Sequence, residues 1–115
     1  MSFKLRQTAS YFWPVTVEYP IDGGKFAKET FDAEFARLPQ ERLEEIMRGV
    51  TAGEVADASI VREIVVGWKG VTDGDDNAEV PFSETALASV LAIPLAGASI
   101  IRAYMESLSK AARKN

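Results

Sequence analysis

The chain is a small acidic sequence of 115 residues, of which 47% are apolar and 26% charged, with a formal net charge of −4. This size and composition predict one folded domain over residues 1–115. The net negative charge disfavours nucleic acid as a partner, because phosphate binding draws on clustered Lys and Arg. The sequence contains no Cys and no His, which excludes disulfides, thiolate chemistry and imidazole-based catalysis or metal binding.

Two alternating runs predict a β-hairpin over about residues 10–36. The inward-facing side chains of the first run recur at every second position, as in a half-buried strand: Tyr11, Trp13, Val15, Val17 and Tyr19. Phe12 and Pro14 fall on the opposite face, and Pro14 predicts an edge strand or a bulge because it has no N–H to donate. Asp22, Gly23 and Gly24 supply the turn. The second run places these residues on one face: Ala27, Glu29, Phe31, Ala33 and Phe35.

About four helices are predicted between residues 39 and 114. Pro39 suits the first position of the first helix, which Gly49 and Gly53 help to end. Asp57 is predicted to cap a second helix, with Gly67 or Gly70 as its end. The apolar stripe of this second helix has the 3.6-residue period: Ile60, Val61, Ile64, Val65 and Trp68. The β-branched residues Ile64, Val65 and Val66 would also suit a buried strand, but the length and the cap favour a helix.

Ser83 and Pro94 divide the C-terminal third into two predicted helices. Ser83 is expected to cap the first, and Pro94 breaks it because proline disfavours helical geometry at the preceding residue. The last helix is predicted from about Leu95 to Arg113, with an apolar line of Gly97, Ile101, Tyr104, Leu108 and Ala111. Its basic end is explained by the helix dipole: Lys110, Arg113 and Lys114. The fold class is therefore α+β, an N-terminal β-hairpin packed on about four α-helices.

An acidic turn after Val71 resembles the register of a calcium loop. Carboxylate and amide side chains fall at positions 1, 3, 5, 7 and 12 of that register: Asp73, Asp75, Asn77, Glu79 and Glu84. Ala78 stands where the sharp turn needs Gly, and Pro81 occupies position 9. These departures favour a solvated acidic turn over a calcium site.

Several aromatic side chains are candidates for either the core or a partner surface. Trp68 is assigned to the core, since it lies on the apolar stripe, and Phe12 is either exposed or covered by a partner. Five residues on the hairpin edge and the last helix are the candidate partner-binding set: Phe12, Trp13, Pro14, Tyr104 and Met105.

Two short segments carry a family resemblance, Val65-Val66-Gly67-Trp68-Lys69-Gly70-Val71 and, beyond the acidic turn, Val80-Pro81-Phe82-Ser83. Their structural residues are Gly67, Trp68, Val71, Pro81 and Phe82. Together with the flanking runs from about residue 26, they resemble the tail assembly chaperones of long-tailed bacteriophages. The resemblance covers most of the chain beyond the first strand.

The resemblance implies a non-enzymatic protein without catalytic residues, cofactors or metal. Members of that family coat the tape measure protein and recruit tail tube subunits, often alongside a longer frameshifted form of themselves. They act in the bacterial host cytoplasm during assembly and are absent from the mature virion. The short apolar runs of this chain, well below the ~20 residues that span a bilayer, predict neither a membrane partner nor a secretion signal.

Two other classes of function stay open at the level of sequence. One is a structural tail-completion or connector subunit that is retained in the virion. The other, less favoured, is an enzyme based on carboxylates or an assisting metal, which would use Asp75, Glu79 or Glu84. A homo-oligomer is compatible with each of them.

Overall fold

The computed structural model describes residues 2–53, 56–74 and 77–109. Its elements, in chain order, are β1 Ser10–Ile21, β2 Lys25–Ala36, α1 Gln40–Ala52, α2 Asp57–Ile64, β3 Val65–Lys69, α3 Glu84–Leu91 and α4 Ala96–Leu108. The three strands form one antiparallel sheet in the order β1-β2-β3, and the helices pack on one of its faces. The α+β prediction of an N-terminal hairpin on four helices is confirmed, with a third strand added.

The hairpin has the predicted faces. Ser10 pairs with Ala36 and Ile21 with Lys25, so the two twelve-residue strands are matched along their whole length. Val15 and Val17 are buried on the inner face, whereas Phe12 and Pro14 are exposed on the outer face. Because β1 pairs only with β2 among the described strands, the prediction of an edge strand at Pro14 is confirmed.

The helix predicted to run through Trp68 ends four residues earlier. α2 stops at Ile64, and the chain continues directly as β3, in which Val65 pairs with Phe35 and Trp68 with Ala33. The prediction was wrong because the β-branched pair at 65 and 66 meets the open edge of β2, where strand pairing satisfies the backbone. The assignment of Trp68 to the core holds, since only 9% of its surface is exposed.

The helix ends show which local signals were read correctly. The Ser83 hydroxyl accepts a hydrogen bond from the Ala86 N–H at 3.0 Å, as an N-cap does, and Gly53 caps α1 in the left-handed conformation. Gly49, by contrast, lies inside α1. Pro39 is the N-cap rather than the first helical residue, and Asp57 lies in the first turn of α2 without a side-chain capping bond.

The helix α4 is the central helix of the core. It packs against β1, α2 and α3, and it buries Ala96, Ser99, Ile100, Ala103 and Tyr104. The predicted apolar line was misplaced: Leu108 is 48% exposed, and Ile100 rather than Ile101 is fully buried. The buried stripe of α4 is rotated relative to the predicted line because the helix packs against both the sheet and α2. Leu95 precedes the helix with a positive φ, and the basic C-terminal cluster lies outside the described residues.

Candidate functional site

The two segments that carry the family resemblance form one packed unit. The Trp68 indole N–H donates a hydrogen bond to the Val80 carbonyl at 2.8 Å, and the Trp68 ring meets Phe82 edge-to-face with centroids 5.0 Å apart. The Val80 N–H donates to the Val71 carbonyl at 2.7 Å. Val80 thus contacts both Val71 and Trp68, so that the end of β3 and the approach to α3 lie side by side.

The acidic turn between these segments is tied to the same unit. The carboxylate of Glu79 accepts a hydrogen bond from the Gly70 N–H at 2.7 Å, so this side chain has a structural partner. Within residues 2–53, 56–74 and 77–109, no group of three acidic side chains is arranged to hold a metal ion. The calcium-loop hypothesis depends in part on Asp75, which lies outside the described residues.

The candidate partner-binding residues do not share one surface. Phe12, 44% exposed, and Pro14 lie on the outer face of the sheet, where the Lys69 ammonium stands 4.2 Å from the Phe12 ring centroid. Trp13 points the opposite way and packs half-buried against the core, as Met105 does on α4. The exposed members of the set are therefore Phe12 and Pro14, both on the hairpin.

Tyr104 is a core residue rather than a surface anchor. Only 1% of it is exposed, and its ring packs edge-to-face on Phe35 with centroids 5.1 Å apart. Burial raises the pKa of Tyr104 to about 12, with smaller contributions from Tyr11 and Glu63. Its place at the sheet–helix interface follows from the burial of α4 against β1, so it is removed from the set of partner residues.

An apolar groove lies beside this unit, between the hairpin and α3. Its volume is about 420 Å³. The sheet wall is formed by Val17, Tyr19 and Phe31, the helix wall by Ala86, Val90 and Ile93, and the floor by Trp68 and Ala96. We call this the hairpin–α3 groove. Glu29 and Asp73 lie on its lining, and no Lys or Arg does so among the described residues.

The groove exists because the strands are longer than the helices that cover them. The inner face of β1 and β2 continues past α4 toward the turn, which leaves Val17, Tyr19 and Phe31 facing α3 across open space. The Tyr19 hydroxyl donates to the Glu29 carboxylate at 2.8 Å, and this bond raises the pKa of Tyr19. The polar end of the sheet wall is therefore held in place at the groove mouth.

Sequence reasoning placed Val17, Tyr19 and Phe31 on the inner face but did not find the groove. Its opposite wall comes from α3, which begins 48 residues after the end of the second strand. α3 is held near the hairpin by the contacts between Trp68 and Val80 and by its packing on α4. One signal was present in the sequence. The alternation continues over twelve residues in each strand, and such a strand is longer than α3 or α4, because a helix rises only ~1.5 Å per residue.

The groove offers an apolar binding surface with an acidic rim. Its apolar lining suits apolar side chains, and Glu29 suits a cation at the edge. Within the described residues, no single helix is long and apolar enough to cross a membrane; α3 and α4 reach that composition only as a pair, bent by 103°.

Comparison with known proteins adds no relative. No family model, no curated protein and no solved structure matches the chain.

Proposed function

We propose that the protein is a tail assembly chaperone of a long-tailed bacteriophage. It binds the tape measure protein during assembly and helps to recruit tail tube subunits, without enzymatic chemistry. It acts in the host cytoplasm and is absent from the mature virion. The observation that carries the proposal is the open, apolar hairpin–α3 groove, which adjoins the segments of the resemblance.

The groove fits the client chemistry that this role requires. A tape measure protein is a long, largely helical chain, and its apolar stripes have to be shielded before the tube surrounds them. A groove between a sheet and a helix accepts such a stripe through side chains at i, i+3, i+4 and i+7. The carboxylates of Glu29 and Asp73 favour a stripe flanked by Lys or Arg.

The outer face of the sheet is the second surface to be tested. It carries Phe12, Pro14 and Val66 as exposed apolar residues, but Lys69 covers part of Phe12. The face is also polar along its length, with the Lys28–Glu18 ion pair at 3.3 Å and the Thr16–Thr30 hydroxyl pair at 2.9 Å. This mixture of charge and hydroxyl groups makes it a weaker receptor for an apolar stripe than the groove.

Co-expression with the longest predicted helical protein of the same phage tests the proposal. We expect the two chains to co-purify and the partner to become soluble. Ile93→Asp should abolish this effect, because it places a charge in the apolar lining of the groove, just beyond α3, at a side chain that is 45% exposed. Met47→Asp, at a 53% exposed position on α1, is the matched control.

Two results would contradict the proposal. One is that the partner remains insoluble and does not co-purify with the wild-type chain. The other is stoichiometric recovery of this chain from purified virions by mass spectrometry, which would instead support a structural tail-completion or connector subunit.

A further inference from the structure

We propose that the N-terminal arm of one copy, residues 2–9, binds in the hairpin–α3 groove of a second copy. The inference is carried by two features of one chain: an arm with two exposed apolar side chains and two cations, and a groove with an apolar lining and two carboxylates. The inference goes beyond the proposed function, because it concerns self-association of the chain without any client.

The arm holds two large apolar side chains in solvent. Phe3 is 87% exposed and Leu5 is 91% exposed, more than any other large apolar residue among those described. Lys4 and Arg6 alternate with them, so an extended arm presents an apolar edge on one side and two cations on the other. Burial of such side chains is favourable, which favours a receptor for both.

The root of the arm is fixed to the body. The Arg37 N–H donates to the Ala9 carbonyl at 3.0 Å, and the Arg37 Nε donates to the Thr8 hydroxyl at 3.2 Å. The Gln7 side-chain amide donates to the Lys4 carbonyl at 3.0 Å, which is a local bond within the arm. The apolar residues therefore project from a defined point next to the start of β1.

Charge selects the hairpin–α3 groove over the other concavities. The cavity at the root of the arm is lined by Arg37, which would repel Lys4 and Arg6. The cavity between β1 and α4 carries charges of both signs: Glu18, Arg102 and Glu106. The hairpin–α3 groove combines an apolar lining with two carboxylates, Glu29 and Asp73, and is the complement of the arm.

Distance puts the far part of the groove, at Val17 and Tyr19, beyond the reach of the arm of the same chain. The arm leaves from Ser10, at the end of the hairpin away from the turn, whereas the sheet wall of the groove lies at Val17 and Tyr19. Ser10 and Tyr19 are about 30 Å apart along the strand. The arm from Ala9 to Phe3 reaches at most about 22 Å. Phe3 therefore falls short of the far part of its own groove but is free to enter that of a neighbour.

The absence of cysteine in the sequence allows a direct crosslinking test. Leu5→Cys and Ile93→Cys are made in separate full-length chains, both at exposed side chains, and the two proteins are mixed under mild oxidation. We expect a disulfide-linked heterodimer at least tenfold more abundant than in a control mixture of Leu5→Cys with Met47→Cys. Equal yields from the two mixtures would overturn the proposal.

A double variant decides between the two possible grooves. When Leu5→Cys and Ile93→Cys are combined in one chain, crosslinked dimers should dominate, whereas an internal disulfide that leaves the chain monomeric would overturn the assignment to a second copy.

Sedimentation of Phe3→Ser/Leu5→Ser should show a loss of the concentration-dependent association that the wild type shows; a monomeric wild type would also overturn the proposal. These measurements use no client, so their failure leaves the chaperone proposal intact.

Discussion

The indole N–H of Trp68 and the carbonyl of Val80 are joined by a 2.8 Å hydrogen bond that crosses from β3 to the segment leading into α3. This bond fixes how closely α3 approaches the hairpin, and so it sets the floor and one wall of the hairpin–α3 groove. Trp68 therefore contributes both to the stability of the fold and to the shape of its binding surface.

Replacement of Trp68 by Phe should destabilise the protein. Phe retains an aromatic ring against Phe82 but leaves the Val80 carbonyl without its donor, which costs about 1–3 kcal/mol for a partly buried group. Urea unfolding followed by circular dichroism measures the change in the free energy of unfolding. Trp13→Phe is the control, since that indole is half-buried on β1, and equal losses for the two variants would contradict a special role of the Trp68 bond.

A Cβ at position 67 should collide with a neighbouring strand. Gly67 lies on β3 beneath the carboxylate of Glu34, which also accepts a hydrogen bond from the Ser10 hydroxyl. Gly67→Ala should therefore lower the free energy of unfolding by about 0.5–1.5 kcal/mol, because the displaced Glu34 carboxylate loses its hydrogen bond with the Ser10 hydroxyl. In a double-mutant cycle, Glu34→Ala should recover most of that loss; additive effects would show that the two residues are not in contact.

The ion pair between α1 and α2 should make stability depend on pH in the acid range. Arg42 donates to both carboxylate oxygens of Glu63, at 2.6 and 2.7 Å, and these bonds lower the pKa of Glu63. The stabilisation is thus complete above the pKa of Glu63 in the unfolded chain and is lost as pH falls through its lower pKa in the folded chain. Because both side chains are partly exposed, the effect is small.

Arg42→Lys measures this effect, since an ammonium cannot reproduce the paired geometry. Thermal unfolding between pH 7 and pH 3 should show a smaller acid loss for this variant than for the wild type. Lys28→Gln, which removes the exposed pair with Glu18, is the control. Identical pH profiles for Arg42→Lys and the wild type would contradict the prediction.

Tyr104 should make the protein sensitive to alkali. Burial raises the pKa of Tyr104 from 10.0 to about 12, so the folded state retains a proton that the unfolded chain releases. Its contribution is complete below pH 10 and is lost as pH rises from about 10 to about 12, with a slope of at most about 1.4 kcal/mol per pH unit. Unfolding of Tyr104→Phe over this range should show a shallower decline; parallel profiles would contradict the assignment.

Features that depend on neighbours along the chain could be predicted from the sequence, whereas features that depend on residues distant in the chain could not. The hairpin faces, the Ser83 cap and the break at Pro94 depend on neighbours along the chain, and each was read correctly. The strand β3 was missed because Ile64, Val65 and Trp68 fit a helical stripe as well as an inner strand face. The open edge of β2 decided between the two, and no local pattern reveals that edge.

The candidate site was less predictable than the fold. Tyr104 and Trp13 are large and amphipathic, which are features of both interface anchors and core residues, and only packing assigns them to the core. The groove needs Val17, Phe31 and Ile93 to meet across elements distant in sequence. Its walls could be listed as apolar faces in advance, but not as faces of the same cavity.

If the arm and the client share the groove, removing the apolar arm residues should strengthen client binding. This prediction depends on both proposals. Phe3→Ser/Leu5→Ser should bind a purified tape measure segment severalfold more tightly than the wild type at concentrations where the wild type self-associates. Lys28→Gln, on the outer face of the sheet, is the control. An unchanged affinity of the arm variant would show that the arm does not compete.

The dissociation constant of the tape measure segment, measured by calorimetry for Ile93→Asp and Phe12→Asp, tests the central claim most directly. The two positions are similarly exposed, at 45% and 44%, but Ile93 lines the groove and Phe12 lies on the outer face of the sheet. We predict at least tenfold weaker binding for Ile93→Asp, a loss of about 1.4 kcal/mol or more, and little change for Phe12→Asp. Unchanged binding by Ile93→Asp with a loss in Phe12→Asp would contradict the claim.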